Sequence, residues 1–193
     1  MNNYEYIIAG LPVLQPDYRG KLDTDAILEE IRSQLSEKDS AALGFLLDGW
    51  GDGLDEAFYR SAAAHSNAFI RGYFEYDLQL RNAKVAFLNK ELGRPAGQDT
   101  VAFGPEDFDD RPKVDEVLAM KDILGRERGL DELLWARIDE LTVMHVFDMD
   151  TILGFTAKLK IVDRWTRLDP ETGRELFRRL VSDLKDNYTL EIK

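Results

Sequence analysis

Between Leu54 and Leu92 the chain places Phe58, Ala62, His65, Phe69, Tyr73, Tyr76, Leu80, Ala83 and Phe87 at intervals of three or four residues. Residues at that spacing share one side of an α-helix, so the segment reads as a helix with a long apolar face. Unbroken, it would run about 58 Å at 1.5 Å per residue, and it is the expected backbone of the fold. A second series, Ile70, Phe74, Val85, Leu88 and Leu92, widens the apolar face and predicts packing on two neighbours.

Helical signals continue on both sides. Asp23 or Thr24 can cap a helix through about Leu35, and Ser36 or Ser40 can begin another carrying Leu43, Phe45, Leu46 and Leu47. The opening NYEYIIAGLPVL is either a short strand or a buried helical turn, because a brief apolar run beside Pro12 has no readable period. The glycines of DGWGDG, residues 48–53, interrupt the pattern. Residues 93–112 hold three prolines, three glycines and a group of acids, which predicts a loop or a lobe boundary. Beyond it, VDEVLAMKDILG and LDELLWARIDELTVM have helical spacing, with Gly125 and Gly129 expected to mark the turn between them. From Phe147 to Leu168, Asp148 or Asp150 can cap a helix whose dry face is Ile152, Phe155, Leu159, Val162 and Trp165. Asp169, Pro170 and Glu171 open a last helix with Phe177, Leu180, Leu184 and Tyr188 on one face. The expected fold class is mainly α. It is a single helical domain over 1–193, a bundle around one long central helix that divides into two helical lobes at 93–112.

FEYDLQL at 74–80 and FDMDTIL at 147–153 echo each other in Phe, an acid and Asp. Duplicated helical hairpins would produce this, and so would chance similarity between two capped helices.

Composition removes whole classes of function. The 193 residues, 44% of them hydrophobic, are enough for a real core. Lys and Arg total 25 against 37 Asp and Glu, a formal charge of −12, which argues against a general phosphate-backbone binder, so no nucleic-acid partner is expected. With no cysteine there is no disulfide, thiolate nucleophile or sulfur-built zinc site. The start lacks a basic segment followed by an apolar signal core, and the expected location is cytoplasmic. YIIAGLPVL, residues 6–14, is nine residues long against the roughly 20 that a membrane helix requires.

Catalytic and metal constellations are not apparent. His65 falls on an apolar stripe and reads as a satisfied core histidine, while His145 precedes a helix start; neither has HExxH or ExxH spacing. Glu106, Asp107, Asp109 and Asp110 lack the alternating ligands, central glycine and final glutamate of a calcium loop. Asp48–Glu56 fails the same test, because Tyr59 stands where the bidentate carboxylate belongs. Neither GxxxxGK[ST] nor GxGxxG occurs. No catalytic residue, metal or cofactor is therefore expected.

Basic residues gather late, at Lys158, Lys160, Arg164, Arg167, Arg174, Arg178 and Arg179. They form either a partner surface or the wet faces of two helices, paired locally with Asp163, Glu171 and Glu175. Arg81, Asn82 and Lys84 interrupt an apolar helix as an exposed edge or as polar contacts between helices. Arg81, Asn82, Lys84, Lys158, Lys160, Arg164 and Arg167 are the candidate partner-binding residues.

MNNYEYIIAGLPVL at the start, YFEYDLQLRNAKVAFLNKELGR at 73–94 and FDMDTILGFTAKLKIVDRW at 147–165 together resemble a bacterial family classed as a domain of unknown function and encoded beside V/A-type ATPase genes. More loosely, the later two segments resemble the helical C (or d) subunit of those rotary enzymes, with Asp77, Asn82 and Lys84 in comparable order. That subunit is a funnel of helices on the membrane rotor ring that holds the central stalk and does no chemistry. The resemblance implies a non-enzymatic accessory or C/d-like central-stalk component of a proton- or sodium-translocating V/A-type ATPase. Its partners would be the protein subunits of that complex, which would hold it peripherally at the inner face of the membrane. The alternative is a small helical enzyme or ligand-binding protein with a pocket between two lobes. Converging carboxylates in a polar cavity favour the pocket; an exposed apolar patch with a charged rim favours the adaptor. Self-pairing through the long helix, giving a homo-oligomer, is a third expectation.

Overall fold

A computed structural model describes residues 4–168 except 19, 21, 52, 53, 96 and 106. The helix expected from Asp169 onward, with Arg174, Arg178 and Arg179, and the acid Glu106, lie outside the described residues. Among those described, the secondary structure is helical: α1 Glu5–Gly10, α2 Thr24–Gln34, α3 Glu37–Asp48, α4 Glu56–Ala63, α5 Ala68–Glu91, α6 Arg111–Leu118, α7 Ile123–Thr142 and α8 Met149–Thr166. The protein is mainly α, as its periodicity implied. The ambiguous opening segment is helical and then extended, and none of the described helices is long and apolar enough to cross a membrane.

Three of the caps read from sequence are made, and a fourth, at Asp55, was not anticipated. Asp23, Ser36 and Asp148 accept from the backbone N–H of Ala26, Asp39 and Thr151, and Asp55 accepts from that of Phe58 at 2.9 Å. Thr24, an alternative cap, instead donates its hydroxyl to Asp163 Oδ1 at 2.9 Å, tying α2 to α8.

The expected single helix from Leu54 to Leu92 is two helices, α4 and α5, folded back on each other around Ala64–Asn67. Side chains at the corner take over the backbone groups that a continuous helix would have paired. Asn67 accepts from the Ile70 N–H at 2.9 Å, and His65 Nδ1 accepts from the Asn67 N–H at 3.1 Å. Arg71 donates to the carbonyls of His65 and Ser66 at 2.6 and 3.0 Å. Folding back also buries α4: Phe58 meets Phe74 edge to face at 4.9 Å, and Tyr59 is 2% exposed. His65 is thus a half-buried corner residue rather than a core one, 5.0 Å from the Phe45 ring, and burial lowers its pKa. With the rod broken, the unbroken surface on which self-pairing was expected does not form.

Two further expectations change. Gly125 and Gly129 lie inside α7; the break falls at 119–122, where Asp122 caps α7 by accepting from Leu124 and Gly125. Gly129 serves contact, since a Cβ there would stand 2.7 Å from Val117 Cγ1 of α6. Helix α8 is dry on more than one face. Leu153, Ala157 and Ile161 are buried along with Ile152, Leu159 and Val162, because α8 packs on α5 and α7 and also on α2 and α3. A Cβ at Gly154 would lie 2.5 Å from Thr142 Cγ2, so glycine sets the close approach of α7 and α8.

The echo between 74–80 and 147–153 has no structural counterpart, because the first stretch is the middle of α5 and the second opens α8. Residues from both sides of the 93–110 loop enter one buried cluster, including Ile70, Phe74, Val114, Ile138 and Ile152.

Candidate functional site

Helices α5, α7 and α8, the end of α3 and the loop around Asp99–Val101 enclose an open cleft of about 520 Å³. Its wall brings together residues far apart in sequence. Tyr73, Asp77, Arg81 and Lys84 come from α5, Glu127 and Asp131 from α7, Arg164 from α8, and Trp50 from the turn after α3. Leu54, Leu80, Leu130 and Leu134 supply its apolar part. The helical repeat explains the α5 and α7 contributions: positions 73, 77, 80, 81 and 84 line one face, and so do 127, 130, 131 and 134.

The charges in this wall are matched across helices. Asp131 Oδ2 accepts from Arg164 and, at 2.6 Å, from Trp165 Nε1. Asp77 Oδ2 accepts from the Tyr59 hydroxyl at 2.7 Å and faces Arg81 Nε at 3.4 Å. Lys84 pairs with Glu127 at 2.5 Å. Burial raises the Asp77 pKa above the usual carboxylate value, with Tyr59 and Arg81 opposing it; burial likewise raises that of Asp131 against the pull of Arg164. Tyr59 is pushed far up by burial and by Asp77.

Of the seven residues named from sequence, Arg81, Asn82, Lys84 and Arg164 meet in this cleft, whereas Lys158, Lys160 and Arg167 do not line it. Lys158 pairs with Asp139 of α7 and lies 4.9 Å from the Trp135 ring centre. Lys160 and Arg167 face Asp163 at 4.0 and 2.8 Å. Among the late basic residues, Lys158 and Arg164 thus join α8 to α7, while Lys160 and Arg167 pair locally along α8. Asn82 makes a reciprocal pair with the loop, donating to Val101 O and accepting from Val101 N, each at 2.9 Å. Asn82→Ala is expected to lose about 1–2 kcal/mol and the hydrogen-exchange protection of the Val101 amide, while amides in the middle of α5 stay protected.

The remaining acids and His145 have local roles. Asp110 accepts from Tyr76 at 2.9 Å and pairs with Lys113 at 2.6 Å, whose hydrogen bond lowers its pKa. His145 Nδ1 lies 2.6 Å from Asp148 Oδ2, which raises the imidazole pKa, and its Nε2 is 3.6 Å from Asp150. This histidine belongs to the α7–α8 turn, where Val143, Met144, Val146 and Phe147 are 75%, 86%, 61% and 43% exposed. The Tyr4 N–H donates to the Phe147 carbonyl at 2.8 Å, fixing α1 beside the same turn.

Tyr73, Trp50, Glu127 and Asp131 were not singled out by sequence reasoning. One sign was present: Asp131 interrupts the apolar series Leu130, Leu134 and Ile138 on α7, and a carboxylate in such a series needs a partner from another helix.

Residues 47–188 match the family described as protein of unknown function DUF2764. No curated protein and no solved structure matches the chain. The match spans both long helical segments and every wall residue named above, and the chain belongs to the DUF2764 family.

Proposed function

We propose that this protein is a non-enzymatic helical docking component, an accessory or C/d-like central-stalk element of a V/A-type ATPase in the cytoplasm. The observation that carries the docking part is the α7–α8 turn: four apolar side chains in five residues, Val143–Phe147, face solvent beside His145, whose partners Asp148 and Asp150 are partly buried. Exposed apolar side chains grouped in this way mark contact surfaces in proteins. The ATPase as partner rests on the resemblance of the opening, 73–94 and 147–165 segments, and Val143–Phe147 adjoins the last of these. Binding energy would come from burying the apolar turn, with Arg167 and other exposed charges setting orientation and encounter rate.

Tagged full-length protein drawn from its native cells should bring down V/A-type ATPase subunits identified by mass spectrometry. Met144→Glu should deplete them by about tenfold or more, since burying a charge at an apolar contact costs upwards of 1.4 kcal/mol. Met144 is 86% exposed, so this substitution leaves the fold intact. Failure to recover any ATPase subunit overturns the ATPase assignment, and recovery unchanged by Met144→Glu overturns the role of the turn. Charge reversal at Lys158 or Arg164 would be a poorer probe, because it also breaks contacts between α7 and α8.

A further inference from the structure

The cleft holds two polar groups without a partner among the described residues, one of them buried. Tyr73 lines the wall, and its hydroxyl, which reaches the cleft, has no hydrogen-bond partner among the described residues. The charges acting on that hydroxyl are Asp77, Asp131 and Arg164, all residues of the same wall. The Trp50 Nε1–H, also in the wall, is buried without an acceptor among the described residues. Leaving a buried donor such as Trp50 unpaired costs about 1–3 kcal/mol, while the Tyr73 hydroxyl is open to the cleft among its paired charges. A solute that supplied the missing partners would recover that cost.

The chemistry of such a solute follows from the capacity left over. All three cations of the wall, Arg81, Lys84 and Arg164, already face carboxylates. Asp77 and Asp131 take these hydrogen bonds on Oδ2, so acceptor capacity remains on Oδ1 of each, in the wall they share with Tyr73. The unmet demand is thus for a cationic donor near Tyr73 and for an oxygen acceptor near Trp50. Leucines complete the wall, and the volume of about 520 Å³ falls in the range of roughly 300–1,000 Å³ usual for small-ligand sites.

We infer that this cleft binds a small organic ammonium compound with an oxygen acceptor and a short hydrocarbon body, of the amino-alcohol or amino-acid-amide class. The ammonium sits between Asp77, Asp131 and Tyr73, its oxygen accepts from Trp50, and its hydrocarbon lies on the leucines. This site is separate from the α7–α8 turn and stands or falls independently of any docking partner.

Leucinol carries all three parts, and isohexanol is the comparable alcohol without the amine. Calorimetric titration of the full chain with leucinol should show saturable binding, accompanied by a shift of the Trp50 indole N–H resonance. Isohexanol should bind at least tenfold more weakly, because it cannot satisfy the carboxylates. Tyr73→Phe removes only the unpartnered hydroxyl, so its melting temperature should not fall while leucinol affinity drops about tenfold. Asp77→Asn gives a second variant with the same expected direction. Absence of saturable leucinol binding, equal binding of isohexanol, or unchanged affinity in both variants would each overturn the site.

Discussion

Phe74→Ala is expected to lower unfolding free energy by about 3–5 kcal/mol, the largest effect of any single truncation considered. Phe74 is 1% exposed and lies where three separate pieces of chain meet. It contacts Phe58 of α4 at 4.9 Å, Phe45 of α3 at 5.9 Å and Tyr73 at 5.0 Å between ring centres. Removing the ring deletes those contacts and leaves a cavity that the surrounding rings cannot all close. The turn after α3 should feel it as well, since Gly49 sits so close that a Cβ there would be 2.3 Å from the Phe74 ring. Urea unfolding measures the loss, and hydrogen exchange should show α4 opening first. A change below about 1 kcal/mol would mean that the α4–α5 hairpin is not packed as described.

The second large effect is expected at Asp131. Asp131→Ala should cost about 2–3 kcal/mol, because it removes the acceptor for Trp165 Nε1 and the partner of Arg164 at once. Asp131→Asn keeps one oxygen acceptor for the indole and should lose roughly half as much. The two substitutions also separate packing from charge through pH. Burial raises the Asp131 pKa, so the native chain holds this proton more tightly than the unfolded chain does. The corresponding stability is fully present below the ordinary carboxylate value of about 4 and is lost as pH rises through the higher native value. The asparagine has no such loss. Its deficit relative to the parent should therefore narrow as pH rises, and denaturant midpoints taken below and above that window test the sign.

The wall residues show why only part of the site was legible in sequence. Arg81, Asn82 and Lys84 stood out as polar interruptions of an apolar segment, and they do line the cleft. Helical spacing offers Arg81 a partner in Asp77, one turn back, but none for Lys84 or Asn82, because Glu127 and Val101 reach them from α7 and the loop, at separations of 43 and 19 residues. Lys158 and Arg164 looked like a free basic face for the same reason: their carboxylates, Asp139 and Asp131, sit on a neighbouring helix. An isolated charge pattern contains only i,i+3 and i,i+4 neighbours, so of the late pairs it reaches Lys160–Asp163 and Arg167–Asp163 but not Lys158–Asp139 or Arg164–Asp131.

Local physics determined the helical class, the caps at Asp23, Ser36 and Asp148, and the proline- and glycine-rich loop, since each depends on residues within a few positions of one another. Tertiary structure decided where the long segment broke, which glycines were contacts and which faces of α8 were dry. A helix break at Ala64–Asn67 leaves the apolar period almost intact, and its favourable free energy comes from burying α4 against α5. Gly129 and Gly154 read as turn or neutral signals until the helices that press on them are in place. The cleft depended on tertiary structure in the same way, because its two desolvated aspartates, Asp77 half-buried and Asp131 buried, come from different helices and neither is distinctive without the other.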